Sequence, residues 1–126
     1  MLNSKPRRMP TKNQIKEYWW KRLVELEKFI CKDEVFEDDY CFACGFEAHT
    51  ERAHILAKCE GGNNEPSNLH LLCSQCHKTS ELLNGKRYWN WFEKQNIFDV
   101  CTQFYFSNGG TWADFLAIRP ARWRQP

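Results

Sequence analysis

The sequence predicts an α+β fold: a short β-hairpin and a following helix pinned by four cysteines, with further helices on both flanks. Three observations predict it. Cys41/Cys44 and Cys73/Cys76 form two Cys-x2-Cys knuckles. Two short β-type runs lie between the knuckles, separated by a stretch rich in Gly, Asn and Pro. Outside them, apolar residues recur at helical spacing. At 126 residues, the chain fits one compact domain whose modest core benefits from a metal staple.

In chain order, Pro10-Thr11 opens an amphipathic helix, with Thr11 and Gln14 as a capping box. Its apolar face (Ile15, Tyr18/Trp19, Leu23, Leu26, Phe29/Ile30) carries it through Cys31. The acidic stretch 32–39 ends that helix and leads to Tyr40 and the first knuckle, where Gly45 supplies a left-handed turn. Arg52 to Leu56 reads as a strand, Ala57 to Ser67 as a loop, and Asn68 to Leu72 as a second strand running into the second knuckle. A helix begins at His77 and ends near Asn84-Gly85. Lys86 to Lys94 is aromatic and helical. Phe98 to Phe106 is an apolar segment of undetermined type, Asn108-Gly-Gly110 is a break, and Thr111 with Asp114 begins a last short helix. The organisation is thus a basic arm and amphipathic helix over 1–39, a core over 40–85, and an aromatic extension with a basic tail over 86–126.

No apolar run approaches the roughly 20 residues that span a bilayer, and the amino terminus lacks the apolar stretch of a signal peptide. A cytoplasmic chain is expected, and there seven cysteines read as metal ligands plus spares (Cys31, Cys59, Cys101) instead of disulfides. Net charge is only +2, but residues 1–28 carry eight Lys/Arg against three acids. The tail Arg119-Pro-Ala-Arg122-Trp-Arg124 is basic again. Basic ends suit a polyanion, and they equally suit solvated termini.

The quartet Cys41, Cys44, Cys73 and Cys76 has the ligand type and spacing of a structural tetrahedral zinc site. Two dithiols in one small domain argue against redox chemistry. The segment between adds Glu51-Arg-Ala-His54-Ile, Gly61-Gly62, Asn68-Leu and, after the second knuckle, His77.

In its order and spacing, this set over about residues 40–85 resembles the HNH endonuclease family in its zinc-knuckle form. The resemblance implies a ββα-metal core, one catalytic divalent ion such as Mg²⁺ or Mn²⁺, and cleavage of phosphodiesters in DNA, with RNA left open. It implies His54 as the general base, Asn68 as the residue steadying the loop between the strands, and His77 as a metal ligand. Imidazole chemistry agrees, because a neutral ring accepts a proton from water near pH 7. The family often carries Asp or His immediately before the catalytic His. Here that position is Ala53, which ligates nothing.

Glu81, four residues after His77 on the same helix face, is the replacement ligand suggested by spacing, with a solvated surface Glu as the equal alternative; some bacterial toxin nucleases of the family place two His at that spacing. Glu51 is a weaker candidate ligand. His70, on the face of Asn68 and Leu72, has two readings: a supporting or phosphate-binding group looking toward His54 across the hairpin, or equally a half-exposed cross-strand residue. Arg52 and Lys78 are candidate phosphate contacts. The aromatics at 19–20 and 88–92 read mainly as core, and Trp123 as a nucleic-acid contact. The expectation is a metal-dependent endonuclease, monomeric or homodimeric. The alternative is a non-catalytic zinc module binding nucleic acid or protein with a vestigial motif.

Overall fold

The computed structural model describes residues 8–96. The basic segment 1–7, Cys101, the apolar segment at 98–106, the break at 108–110, the last short helix and Trp123 lie outside the described residues. Within them the order is helix α1 (Lys12–Glu25), helix α2 (Lys32–Glu37), strand β1 (Thr50–His54), 3-10 turns at Lys58–Glu60 and Pro66–Asn68, strand β2 (Leu69–Cys73), helix α3 (Ser74–Ser80) and helix α4 (Gly85–Lys94).

The expected capping box opens α1: the Gln14 amide donates to Thr11 Oγ1 and the Thr11 amide to Gln14 Oε1. The helix stops six residues earlier than its apolar spacing predicts. Glu27 adopts φ 60°, and the Lys28 and Glu27 amides turn back to the Leu23 and Val24 carbonyls. That is a Schellman termination with Glu27 where glycine is usual. The acidic stretch then forms α2, with Asp33 and Glu34 suitably placed near its amino end.

β1 and β2 pair antiparallel, with Glu51 opposite Leu72, Ala53 opposite His70 and His54 opposite Leu69. All five residues of β2 are buried, because the strand is covered on both faces. The first knuckle docks on its outer edge through the Phe42 amide and Leu71 carbonyl, 2.8 Å. The core runs from Ile15 and Leu23 of α1 through Phe42, Leu69, Leu71 and Leu72 to Tyr88 and Phe92 of α4. Two polar ties join the amino-terminal helix to the hairpin. Trp19 Nε1 donates to the Pro66 and Leu69 carbonyls. Lys12 Nζ reaches Asp39, whose carboxylate also accepts from the Thr50 amide and hydroxyl. Burial would raise the Asp39 carboxyl, but these hydrogen bonds outweigh it and hold it low.

α3 begins earlier than expected. Cys73 is its N-cap, with Sγ accepting from the Cys76 amide at 3.4 Å, so His77 sits one turn inside the helix. Its end also comes early, at Ser80, and Gly85 opens α4 instead of closing α3. Among the described residues, no helix is long and apolar enough to cross a membrane.

Candidate active site

The four knuckle sulfurs lie within 4.8 Å of one another, all buried. A tetrahedron with Zn–S arms of roughly 2.3 Å has edges of about 3.8 Å, and Cys44 and Cys73 Sγ stand 4.0 Å apart. The quartet therefore has the donor set and spacing to hold a metal ion. Among the described residues it is the only such group of three or more His, Cys, Asp or Glu. Burial pushes the Cys44 thiol up. Burial would raise Cys41 too, yet hydrogen bonds from the other three sulfurs bring it well below its ordinary value. A cation at the centre resolves this conflict by favouring all four thiolates.

Sequence reasoning missed Lys28, whose Nζ is buried beside the quartet. It donates to the Ala43 and Gln95 carbonyls at 2.8 and 2.9 Å and lies over the Phe92 ring. Burial lowers its pKa to about 8, against the pull of the neighbouring Cys41 and Cys44. Its position within the helix expected through Cys31 gave no sign of this, since lysine is ordinarily exposed.

The second cluster is an open pocket of about 280 Å³ between the end of β1, the 55–60 loop and α3, lined by His54, Lys58, His77 and Glu81 among others. None of the four cysteines lines it. His54 Nε2 is 2.8 Å from Asn64 Oδ1. His77 has a carboxylate at each ring nitrogen: Glu51 Oε1 at 2.8 Å from Nδ1 and Glu81 Oε1 at 3.5 Å from Nε2. Glu81 lines the pocket and Glu51 does not, so Nε2 is the nitrogen on the pocket side.

Asn68 acts on the loop. Its Oδ1 accepts from the Leu56 amide, while Nδ2 donates to the Leu56 and Asn63 carbonyls. This closes the 56–68 segment without touching His54. The side chain that does touch His54 is Asn64, which carried no signal in the sequence beyond being one of two loop asparagines.

Two expected contributors lie elsewhere. His70 does not look toward His54: its cross-strand partner is Ala53, whereas that of His54 is Leu69, and successive positions face opposite sides. His70 is fully buried among Trp19, Phe42, Tyr88 and Phe92, with Nδ1 2.6 Å from the Tyr88 hydroxyl. It is out of reach of phosphate. Arg52 Nη1 donates to the Pro10 carbonyl at 3.0 Å, away from the pocket, and Lys58 is the cation on the pocket wall. Ala53 is buried.

No curated protein and no solved structure matches the chain. The family model HNH endonuclease matches residues 41–81, a span that runs from the first knuckle cysteine to Glu81 and holds both clusters. With the two-stranded sheet, the helix behind it and the grouped cysteines, this makes the fold an α+β one with a ββα-metal core of the HNH type.

Proposed function

We propose that residues 41–81, the span matched by the HNH endonuclease model, form a metal-dependent nuclease that hydrolyses phosphodiesters in DNA. The observation that carries this is the meeting of His54, His77 and Glu81 in one open pocket apart from the four sulfurs. Cys41, Cys44, Cys73 and Cys76 would hold a structural zinc ion, to which four thiolates leave no open position. Lys28 offsets part of the thiolate charge.

The pocket residues fit a hard divalent ion such as Mg²⁺ or Mn²⁺. His77 Nε2 and the Glu81 carboxylate supply one nitrogen and one oxygen donor 3.5 Å apart, and such ions keep several waters. Glu51 accepts a hydrogen bond from the Nδ1–H of His77 and leaves the Nε2 lone pair on the pocket side. Held by His77 and Glu81, an ion of this kind would supply positive charge against the charge growing on the scissile phosphate and leaving oxygen. His54 accepts the proton of the attacking water. Lys58 contacts the phosphate in place of Arg52. Asn68 keeps the loop closed beside the pocket.

Ala53 favours the second reading, a nucleic-acid-binding zinc module without cleavage, since the usual ligand before His54 is missing. The test is supercoiled plasmid incubated with the full chain and Mg²⁺ or Mn²⁺. The nuclease reading expects conversion to nicked circles that stops on removal of the divalent ion. Binding without conversion under every divalent ion tried selects the second reading.

A further inference from the structure

The loop between the strands is folded tightly for a surface segment. Gly62 passes so close to the Leu56 carbonyl that a Cβ there would lie 1.8 Å from its oxygen. The Gly62 amide donates to the Ala57 carbonyl, and the Asn68 amide to the Glu65 carbonyl. Asn68 ties Leu56 to Asn63 through its side chain, and Asn63 Oδ1 accepts from the Glu65 amide. Asn64 is therefore held from both sides, and its half-buried side chain is aimed across the loop at the end of β1. There its Oδ1 stands 2.8 Å from His54 Nε2. His54 Nδ1 has no hydrogen-bond partner among the described residues.

We infer that Asn64 is a positioning residue that fixes the tautomer of His54. The amide oxygen only accepts, so Nε2 carries the proton and the lone pair is left on Nδ1. Water in the pocket can then be deprotonated by Nδ1 alone. The opposite tautomer places a donor where an acceptor is required. The Gly61-Gly62 pair and Asn68 acquire a shared purpose: they fold the loop so that Asn64 reaches the imidazole. The inference rests on the reading of His54 as the general base, but its first readout does not.

That readout is long-range ¹H–¹⁵N NMR of the zinc-loaded full chain, which distinguishes protonated from unprotonated ring nitrogens. Wild type should show His54 protonated on Nε2. Asn64→Leu should lose that preference, with kcat for plasmid cleavage falling about 10- to 100-fold while KM changes little. Asn64→Asp keeps an acceptor at this position and should restore both the tautomer and most of the turnover. A wild-type His54 protonated on Nδ1, the outcome if the Asn64 amide group donates instead, overturns the inference. So does an Asn64→Leu variant with an unchanged tautomer. A wild type that cleaves nothing overturns the nuclease reading, and the NMR result still decides the role of Asn64.

Discussion

His77 carries a carboxylate on each ring nitrogen, and one ion can use only one of those nitrogens. Glu51, the closer carboxylate, stands where the orienting partner of a metal-bound imidazole commonly stands, the role proposed for it. Glu81 is largely exposed, free to turn its oxygens into the pocket. Glu81→Ala should therefore raise the Mn²⁺ concentration for half-maximal cleavage about tenfold or more, with zinc content by metal analysis unchanged. An unaltered Mn²⁺ dependence would make Glu81 a bystander. The spacing of His77 and Glu81 was legible because a helix converts four residues into one face. The Asn64–His54 contact was not, since it depends on how a loop closes. His70 was misread for a related reason: period-two reasoning names the residues that share a face but not which face is open. In β2 neither is open.

The hairpin, its helix and both knuckles were legible from residue spacing and pattern, while their limits shifted wherever a local device overrode periodicity. Glu27 in the left-handed region ended α1, and no Gly or Asn marked the place. Cys73 served at once as last strand residue, N-cap and quartet member, which drew α3 toward the knuckle and carried His77 inward by a turn. The loop is the element on which the site depends most. Gly62→Ala forces a Cβ against the Leu56 carbonyl, so the backbone must move. A loss of about 1–3 kcal/mol is expected by analogy with overpacked sites, measured by urea unfolding. The variant should also lose turnover beyond what its folded fraction explains. Wild-type stability and turnover in Gly62→Ala would show that the tight loop is incidental.

At the scale of the whole molecule, the aromatic core has a pH-sensitive member. Burial presses the His70 pKa down to about 3 from 6.5, so the native state holds it neutral while the unfolded chain protonates first. Between those values the unfolded state binds more protons, and stability falls as the pH is lowered. The loss due to His70 is about 1.4 kcal/mol between about pH 7.5 and pH 5.5. The double variant His70→Phe/Tyr88→Phe replaces both hydrogen-bonding partners with apolar rings. It should be spared that part of the loss in zinc-loaded urea unfolding, whereas an identical loss would assign the pH dependence to other groups. The proposed division of labour is between a cysteine quartet that fixes the hairpin to its helix and a separate pocket to which the chemistry is assigned. The most direct measurement of that claim is single-turnover plasmid cleavage by wild type and His54→Ala, prepared with equal zinc content and assayed with Mn²⁺. The account predicts an intact fold and a rate reduced about 100-fold or more in the variant. Equal rates from the two proteins would contradict it.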